Sequence, residues 1–543
     1  MSVRVTFLGG LGEIGRNCAA IEIDGRIALI DVGLMFPEED MLGVDLVFPD
    51  WSWLTERADD VECVILTHGH EDHVGALAYF LQDINVPVYG THLTCEIAKG
   101  RPDELGVGAT FRPTDDNVWV EHGPFTFCFV PVSHSIPDGA AVVFDTPEGY
   151  ILHSGDFKLD PTPIDGRATD LPTFAGFGRR GVRLLMADST NAEVPGFVPS
   201  ERSLGRTIED IVRRADGRVV AACFASHVHR VQQIVDAGLA DGRKIAFFGR
   251  SMHRITDVGR RLQKLTVPEG AIVDIEELLK LPDDQQLLIT TGSQGEPFAA
   301  LSLMASNRHK FVDLTPADTV LLSATPIPGN ERAVSRVISQ LHRIGARVYH
   351  GRNAPVHVSG HGAQDELRTF LNVVRPQGFV PVHGEYRHLR AHAELAREMG
   401  VPQIEVCEDG DAIVIDGDSM RREERAVPAR YVYFDGSTDV STSVIRQRGK
   451  LADDGVVVVT VGVDLSDSSV ILGPDVDLHG VVEASEADAI AKAIAAEVKK
   501  SIEAIKKKPS LKQLQDVTRQ SARKVLREHS QRKPVVIPAI LEV

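Results

Sequence analysis

The segment Thr67-His68-Gly69-His70-Glu71-Asp72-His73 gathers three imidazoles and a carboxylate into the pattern H-x-H-x-D-H. It follows an apolar, β-branched run at residues 61–66, which predicts a buried strand, and precedes residues 74–81, which predict the start of a helix. A strand-to-helix turn presents loop side chains from a rigid scaffold. Imidazole nitrogen suits zinc, manganese or iron, and a carboxylate can be shared between two ions. The motif indicates a metallo-hydrolase, against the alternative of a chance histidine cluster on a solvated loop.

Polar residues also follow four other apolar runs that predict strands. His134 follows residues 125–132, Asp156 follows 150–155, Asp188 follows 182–187, and His383 follows 378–382. Each of them alone is more readily explained as an ordinary polar residue at a strand end. Together with the histidine motif, they predict that several strand ends bring their side chains to one edge of a sheet.

The chain opens on a strand that leads into the G-x-G-x-x-G sequence of residues 10–15. A dinucleotide site would require a helix to begin at these glycines, so that its N-terminus holds the pyrophosphate. Residues 17–23 instead predict a strand, which turns at Asp24-Gly25 into another strand over residues 26–30. We therefore reject a dinucleotide site and predict meandering strands that end at Asp31.

A long segment separates Asp188 from His383. Its apolar runs predict strands over residues 218–224, 244–248, 286–290 and 319–322, separated by amphipathic helices such as 228–240 and 333–344. Alternating strands and helices predict a parallel α/β domain. The strand-end loops are rich in Ser, Gly and His, and small residues of this kind allow an oligoanion to approach the backbone closely.

Composition limits the class of protein. The 543 residues, 43% hydrophobic and 25% charged, predict a globular protein of about two to four domains. No apolar run approaches the length of a membrane span and the N-terminus enters a strand directly, so we expect neither a signal peptide nor a spanning helix. The six cysteines are dispersed, without a C-x-x-C pair, which favours reduced thiols in the cytoplasm. The net charge of −19 argues against indiscriminate nucleic-acid binding but allows a local basic groove.

In this order, the motifs resemble the metallo-β-lactamase fold, and the long segment resembles the β-CASP domain of its nucleic-acid-processing members. Over essentially the whole chain the sequence is similar to the bacterial ribonuclease J family, with no departure at a metal position. The stretches that carry the resemblance are residues 8–17, 67–73, 133–138, 154–158, 188–191, 292–297, 357–362, 383–387 and 534–543. It implies an α/β fold, an αββα sandwich with an inserted parallel α/β domain and a small α+β C-terminal domain.

The predicted boundaries are residues 1–203 for the first part of the metallo-β-lactamase domain, 204–352 for the β-CASP domain, 353–435 for the second part, 436–452 for a linker and 453–543 for the C-terminal domain. Ser, Thr and Gly at residues 436–442 indicate the linker.

In the C-terminal domain we predict strands near residues 456–461, 469–473 and 535–537, and helices over 486–506 and 510–527. Residues 499–533 contain 12 Lys or Arg against 3 Asp or Glu. This indicates either a solvated helix face or a surface for phosphates or a protein partner.

By resemblance, seven residues hold two metal ions per subunit. One ion has His68, His70 and His134, the other has Asp72, His73 and His383, and Asp156 bridges them. The ions are implied to be zinc, with manganese or magnesium as alternatives. They would generate a hydroxide that attacks phosphorus and would stabilise the phosphoryl oxygens. Asp31 would orient a ligand histidine, and His153, although beside Asp156, would have no ligand role.

The resemblance also implies residues for the substrate. His361 would donate a proton to the leaving 3′-oxygen and be oriented by Asp188, or would alternatively act only as a phosphate ligand. The nucleotide- and phosphate-binding positions would be Ser226, His227, Val228, His229, His357, Val358, Ser359, Gly360 and His361. Asp435 matches a position that holds a structural calcium in relatives, and a turn-forming aspartate explains it equally well.

The implied function is a cytoplasmic ribonuclease of RNA maturation and decay, including rRNA processing and mRNA decay. It would bind single-stranded RNA, prefer 5′-monophosphate ends, and combine 5′→3′ exonuclease with endonuclease activity. It would form a homodimer or homotetramer, with other RNA-decay proteins as further partners and no membrane. The alternatives are a β-CASP nuclease acting on DNA or on mRNA 3′ ends, a thioester or lactam hydrolase of the same fold, and a scaffold that binds RNA without cutting it. The full-length resemblance disfavours the other β-CASP nucleases, and the long insertion disfavours a thioester or lactam hydrolase. The intact ligand set disfavours a scaffold that does not cut RNA.

Overall fold

The structure is a computed structural model that describes residues 2–38, 40–296, 299–327, 329–436, 438–505, 508–529 and 532–543. The chain divides into two compact units. One unit consists of the residues up to Phe36 together with Val47–Val432, and the other of Pro37–Leu46 together with Tyr433–Val543. Among the described helices, none has both the length and the apolar composition that crossing a membrane requires.

The chain up to Asp188 supplies most strands of two sheets. Its elements are β1 (Val3–Gly9), β2 (Leu11–Gly12), β3 (Cys18–Ile23), β4 (Arg26–Ile30), β5 (Leu46–Phe48), α1 (Ser52–Thr55), β6 (Val61–Ile65), α2 (Glu71–Val74), α3 (Leu77–Asp83), β7 (Val88–Gly90), α4 (His92–Ala98), α5 (Gly100–Leu105), β8 (Phe111–Pro113), β9 (Trp119–His122), β10 (Phe125–Pro131), β11 (Ala140–Thr146), β12 (Gly149–His153), α6 (Leu171–Arg180) and β13 (Val182–Asp188). A strand, β3, follows the glycine-rich turn, as predicted, and no helix begins there for a dinucleotide.

The next segment forms the predicted parallel α/β domain. Its elements are α7 (Gly205–Arg213), β14 (Val219–Ala222), α8 (Val228–Ala240), β15 (Lys244–Phe248), α9 (Arg250–Arg261), α10 (Ile275–Leu278), β16 (Gln286–Thr290), α11 (Ala300–Ala305), β17 (Thr319–Leu322), α12 (Glu331–Ile344) and β18 (Arg347–His350). The five strands have the order β15-β16-β14-β17-β18, and all neighbouring pairs are parallel. Apolar cores on both faces explain why its strands are short, continuous apolar runs. Pro297 and Pro328, at the ends of two of its loops, lie outside the described residues.

The chain then returns to the first two sheets. The elements of this segment are α13 (Gln364–Val374), β19 (Gly378–Val382), β20 (Gly384–Glu385), α14 (Tyr386–Glu398), β21 (Gln403–Ile404), β22 (Ala412–Asp416), β23 (Ser419–Glu423) and β24 (Val432–Phe434). Of these, β19, β21, β22 and β23 join the first two sheets. The eight-stranded sheet has the order β23-β22-β1-β3-β4-β6-β7-β8, and the seven-stranded sheet β21-β19-β13-β12-β11-β10-β9. Both sheets therefore need strands from the two sides of the insertion.

The two sheets pack face to face over one apolar core. Phe7 and Ile65 of the first sheet and Phe127 and Met186 of the second belong to the same buried cluster. A further cluster covers the outer face of the second sheet, where α6, α13 and α14 pack. This is the predicted αββα sandwich, and because each sheet is completed after the insertion, the sandwich is a discontinuous domain.

The second unit is a small α+β structure. Its elements after β24 are β25 (Asp439–Val440), α15 (Thr442–Asp454), β26 (Val456–Asp464), β27 (Ser469–His479), α16 (Ala484–Glu503), α17 (Leu511–His529) and β28 (Val535–Glu542). The sheet order is β27-β26-β28, with β26 antiparallel to β27 and parallel to β28. Alternate valines of β26 pack under α16 and α17.

The stretch predicted as a linker contains helix α15. The Ser-, Thr- and Gly-rich residues occupy only its beginning, and the side chain of Ile445 is buried on one face of the helix. Ser437 in this stretch, and Lys506 at the predicted end of α16, lie outside the described residues. The domain boundaries themselves stay a prediction.

Candidate active site

Strands of both sheets end at one edge of the sandwich. In the second sheet β12, β13 and β19 are parallel neighbours, and Asp156, Asp188 and His383 lie at or just beyond their ends. In the first sheet β6 leads into the histidine loop and α2. Because the carboxyl ends of parallel neighbours meet at one edge of a sheet, residues far apart in the chain converge here.

The first group of candidate ligands contains three histidines and Asp156. The ligand atoms of His68, His70, His134 and Asp156 all lie within 4.8 Å of one another. Nδ1 of His70 is 3.1 Å from Nε2 of His68 and 3.2 Å from Nε2 of His134. Oδ2 of Asp156 is 3.6 Å from His68 Nε2 and 3.7 Å from His134 Nε2. Three imidazole nitrogens and one carboxylate oxygen therefore face each other.

The second group contains Asp72, His73, His383 and again Asp156. The other carboxylate oxygen of Asp156, Oδ1, is 3.3 Å from Nε2 of His73, while Oδ2 is 3.5 Å from Nε2 of His383. Asp72 Oδ2 lies 3.7 Å from the first of these nitrogens and 3.8 Å from the second. Asp156 is thus common to both groups, which is the position predicted for a bridging ligand.

Four histidines of these groups have their Nδ1 atoms engaged, so that Nε2 is directed into the groups. The partners are Thr67 Oγ1 for His68 at 3.1 Å, Asp31 Oδ2 for His73 at 2.7 Å, the carbonyl of Gly360 for His134 at 2.8 Å and Asn17 Oδ1 for His383 at 3.0 Å. Such hydrogen bonds fix the tautomer and the direction of an imidazole ligand. The predicted contact of Asp31 with a candidate ligand histidine is present.

In the first group the protonation states favour coordination. Burial, reinforced by neighbouring imidazoles, holds the pKa of His68 and of His134 well below the ordinary value, so these rings are neutral. Burial alone would raise the pKa of Asp156, but His383, His73 and His68 hold it well below its usual range. Neutral imidazoles and an ionised carboxylate are the forms that bind a cation. In the second group, burial opposes protonation of His73, but the carboxylates of Asp156, Asp72 and Asp31 raise the pKa of this ring well above its ordinary value, so a cation would replace its proton.

The donor set fits a divalent metal ion. His68 and His134 both present Nε2 to Nδ1 of His70, and a neutral His70 can donate one proton from this nitrogen to only one of them. Asp156 Oδ1 is buried and has no hydrogen-bond partner in the part of the chain that the structure describes. A buried oxygen left in this way costs stability unless a ligand compensates it. The groups therefore form a divalent metal site, while the role of each ligand stays a prediction.

His361 lies beside both groups. Its Nδ1 is 2.8 Å from Oδ2 of Asp188, and its ring centroid is 5.0 Å from that of His134. Burial opposes protonation of His361, but the carboxylate of Asp188 outweighs it and raises the pKa of the ring to about 9. Asp188 is itself held through Oδ1 by the backbone N–H and the hydroxyl of Thr190. This pair can hold a proton next to the candidate metal site at neutral pH.

The loop from Val356 to Gly362 is held at several points. Lys158 donates to the carbonyl of Ser359, and Asn191 donates from Nδ2 to the Ser359 hydroxyl at 2.9 Å and to the His361 carbonyl at 2.7 Å. A Cβ on Gly360 would lie 2.7 Å from a carbon of the His134 ring, so only glycine fits there. The loop is thereby fixed against the histidines, and Lys158 and Asn191 are supporting residues that the sequence did not identify.

The β-CASP domain contributes further imidazoles. The rings of His227 and His357 have centroids 6.5 Å apart, and His227 Nε2 and His357 Nδ1 are buried without a hydrogen-bond partner among the described residues. Burial lowers the pKa of His357 to about 3 and that of His227 well below its ordinary value. His229 Nε2 lies 3.7 Å from a carboxylate oxygen of Asp165. The first two rings are neutral and have nitrogens available to a ligand.

Other predicted substrate residues are placed differently. Val228 is buried in the core of the β-CASP domain and Val358 packs against that core, so only their backbone groups remain for a ligand. The Ser226 carbonyl accepts from the N–H of Val228 in the turn that begins α8. Arg230, the cation of this turn, is fully buried, and its guanidinium donates to Glu201 and to the carbonyl of Val356. Arg230 thus joins the turn before α8 to the loop at residues 356–362.

Two further residues lie outside the candidate metal site. His153 is buried beside Asp156, accepts the backbone N–H of Gly155 at 3.1 Å and is in neither of the two candidate ligand groups. Asp435 is in the second unit, where Oδ2 lies 3.2 Å from Arg448 and Oδ1 accepts the backbone N–H of Thr438. The turn explanation fits these contacts, and a calcium site there stays a prediction.

Four family models match successive parts of the chain. They are the metallo-beta-lactamase superfamily at residues 11–194, the ribonuclease J beta-CASP domain at 216–341, the Zn-dependent metallo-hydrolase RNA specificity domain at 347–406 and the ribonuclease J C-terminal domain at 443–543. Together they account for the sandwich, the insertion and the second unit.

Curated relatives match from end to end. Ribonuclease J of Mycobacterium tuberculosis is 41% identical, with 100% of this chain and 97% of the relative covered. Ribonuclease J 1 of Streptococcus pyogenes is 38% identical over 99% and 97%, and ribonuclease J2 of Bacillus subtilis is 37% identical over 100% and 99%. The crystal structure of a protein of unknown function from Enterococcus faecalis, 16% identical, covers 76% of this chain and 100% of its own with a TM-score of 0.54, which shows a shared fold.

Proposed function

Because the chain belongs to the ribonuclease J family of β-CASP metallo-β-lactamases, we propose that it is an RNA phosphodiesterase with 5′→3′ exonuclease and endonuclease activity. The observation that carries the proposal is the convergence of two candidate ligand groups on Asp156, beside a histidine whose Nδ1 lies 2.8 Å from Asp188 Oδ2. Cleavage of a phosphodiester requires stabilisation of charge at phosphorus and a proton for the leaving oxygen. This edge of the sandwich offers groups for both.

We propose that His68, His70, Asp72, His73, His134, Asp156 and His383 hold two divalent ions. When bound, the ions would stabilise charge on the phosphoryl oxygens and lower the pKa of water. The imidazole-rich donor set favours zinc, while the carboxylates leave manganese and magnesium as alternatives. Asp31 and Asn17 keep two of the ligand rings oriented.

His361 would serve as the general acid. Its Nδ1 is engaged with Asp188, so the proton on Nε2 is the one available for the leaving 3′-oxygen. The Asp188 carboxylate raises the pKa of this ring against the effect of burial, which favours the protonated form that a general acid needs.

We propose that the loop at residues 356–362 and the turn before α8 bind the 5′-monophosphate of single-stranded RNA. Ser359 Oγ accepts hydrogen bonds from Asn191 Nδ2 and from the backbone N–H of His361, which leaves its own proton for a phosphate oxygen. The unpartnered Nε2 of His227 can donate in the same way, because Nδ1 of this ring accepts the backbone N–H of Arg230. The guanidinium of Arg230 is buried and bonded to Glu201 and to the carbonyl of Val356. This turn therefore offers no free cation to balance the charge of the two further phosphates of a 5′-triphosphate.

We expect 5′-monophosphate RNA to be degraded faster than the same RNA with a 5′-triphosphate. Ser359→Ala should slow exonucleolytic decay of the monophosphate RNA about tenfold or more, since a hydrogen bond to a charged group contributes about 1.5–3 kcal/mol. Internal cleavage should change less, because an internal cut does not require the end pocket. Time courses on end-labelled RNA measure both activities.

Ser339→Ala is the matched control, because this hydroxyl bonds only to a carbonyl on the exposed face of α12. Equal decay of the two 5′ ends, or equal loss of exonuclease and endonuclease activity in Ser359→Ala, would refute the end pocket. A DNA strand of the same sequence tests the substrate, and preferred cleavage of DNA would refute the ribonuclease assignment.

We propose that the protein forms a homodimer or homotetramer through the outer face of the C-terminal sheet. This face carries exposed apolar side chains, Leu472 at 58%, Ile537 at 47%, Leu541 at 48% and Val543 at 62%. Gly462 of β26 pairs with Leu472 on one side and Leu541 on the other, so they lie on one face. Clustered exposed apolar residues typically mark an interface.

Replacing Ile537 and Leu541 together by lysine should shift the sedimentation profile toward monomer, because charge would be buried in the contact. Leu511→Lys is the control, since Leu511 is equally exposed at the start of α17. An unchanged profile for the double variant would exclude this face as the interface.

We place the protein in the cytoplasm, with other RNA-decay proteins as partners. All six cysteines are buried and unpaired, which suits a reducing compartment.

A further inference from the structure

Helix α17 of the second unit carries a row of cations on one face. Leu514, Thr518, Ala522, Val525 and Leu526 are buried against the rest of the unit. Lys512, Arg519, Arg523 and Arg527 fall within a narrow arc on the opposite side, since helical residues advance by about 100° each. We call these four residues the α17 stripe. Arg523, Arg527 and Lys512 are exposed and Arg519 is half-exposed.

Most of the charge on this stripe is not neutralised. Arg519 lies 3.1 Å from Asp516 on the same helix. Among the described residues, Lys512, Arg523 and Arg527 have no carboxylate within ion-pair distance. Neighbouring α16 differs, because it has three lysines and four acidic residues. Positive potential is therefore concentrated on α17 in a chain whose net charge is −19.

We propose that the α17 stripe binds the phosphates of RNA outside the active site. This rests on the proposed ribonuclease function and assigns a second contact to the same substrate. Successive arginines of the stripe are four residues apart, about 6 Å along the helix axis, which is close to the separation of neighbouring phosphates in an extended single strand. Arginine is well suited to phosphate because its planar guanidinium donates two parallel hydrogen bonds.

The composition of this face argues against other ligands. It contains Asp516 and Gln520 among the cations but no exposed large apolar side chain between Lys512 and Arg527. Protein interfaces place apolar or aromatic anchors at their centre, and membrane-surface helices expose an apolar face. A row of cations without anchors fits a polyanion recognised mainly by charge.

The stripe also leaves the apolar sheet face free. The helices α16 and α17 pack on one side of the β26 sheet, and the apolar residues Ile537 and Leu541 are exposed on this sheet away from its buried core. RNA bound along α17 would therefore not compete with self-association through the sheet. Each copy in an oligomer would retain its own stripe.

The test compares long and short RNA in the intact enzyme. In the variant with Arg519→Gln, Arg523→Gln and Arg527→Gln, three phosphate contacts are removed while helix propensity is nearly unchanged. We expect KM for a 40-nucleotide 5′-monophosphate RNA to rise at least about tenfold at 0.1 M salt, and the slope of log KM against log salt to fall by about two. The values of kcat, and KM for a hexanucleotide, should stay the same.

Two control proteins define the result. Arg213→Gln, Arg214→Gln and Arg347→Gln remove the same charge from the β-CASP domain, where Arg213 already pairs with Asp210 and Arg347 with Asp216, and should have little effect. Replacing the three stripe arginines by lysine keeps the charge and should restore most of the affinity.

Three outcomes would overturn the proposal. An equal rise in KM for both glutamine variants would indicate a general effect of net charge. An equal rise for the hexanucleotide would place the effect in the active site. An unchanged KM and salt slope for the long RNA would leave a protein ligand as the explanation of the stripe. Cleavage of the hexanucleotide by the unaltered enzyme shows independently that the ribonuclease function stands, and its absence would refute that function instead.

Discussion

Asp156→Ala should lose metal from both ligand groups and lower the rate of RNA cleavage by about 10³-fold or more. The carboxylate faces both groups, with Oδ1 toward His73 and Oδ2 toward His68 and His134 of the first group and His383 of the second. Removing Asp156 therefore takes away the carboxylate that the two candidate ligand groups share. Metal content after gel filtration and the cleavage rate of the same sample are the measurements.

A one-group variant sharpens this expectation. His383→Ala removes a ligand from the second group only, so it should retain more metal than Asp156→Ala while also losing activity. Asp145→Ala, on the solvent side of β11, is a control that should retain both. Full metal content and near-normal cleavage in Asp156→Ala would contradict the shared-ligand assignment.

His361→Ala should lower the rate about 10²- to 10⁴-fold, the usual contribution of a positioned general acid. His361 also lies within ligand distance of Asp156, Asp188 and His383, but metal content should be nearly unchanged, because His361 belongs to neither of the two groups proposed to hold the ions. Asp188→Asn should show a smaller loss in the same direction, since the amide cannot raise the pKa of the imidazole as the carboxylate does.

A change of leaving group separates proton donation from phosphate binding. RNA in which sulfur replaces the leaving 3′-oxygen needs no proton to depart, so His361→Ala should cut it nearly as fast as the unaltered enzyme does. The sulfur should not restore the cleavage rate of Ser359→Ala. The hydroxyl that this variant lacks contacts Asn191 and the loop backbone, and we assign it no part in protonating the leaving group. If sulfur fails to rescue His361→Ala, the ring is a phosphate ligand only.

The fold and the candidate ligands were predictable because each depends on a local pattern. The histidine motif lies in one turn, and strands such as Lys244–Phe248 are continuous apolar runs between turn residues. The other candidate ligands each follow a predicted strand, and strands that are parallel neighbours in a sheet bring such residues to one edge. The β-CASP strands were found for the same reason, although β18 was not among those identified.

Supporting residues were not predictable, because their partners are distant in sequence. Asn17 reads as an ordinary residue after a glycine turn, and only the packing of that turn beside β20 places its amide against His383. Arg230 is an arginine in a turn, a residue type that is mostly exposed, yet it is fully buried and donates to Glu201. Helix α15 was missed since its first residues favour turns, while the burial of Ile445 comes from the fold of its unit. Such contacts are decided by tertiary structure.

The discontinuity of the sandwich bears on when this enzyme becomes active during its own synthesis. The strand that presents His383, and the loop that presents His361, follow the entire β-CASP insertion. A ribosome releases the histidine motif long before it releases these residues, and domains form in the order in which their chain emerges. A nascent chain at that stage has six of the seven candidate ligands but lacks both His383 and the candidate proton donor His361, while it is still attached to the messenger RNA that encodes it. We therefore expect the nuclease to stay inactive beside its own template until the segment that follows the β-CASP insertion has been translated.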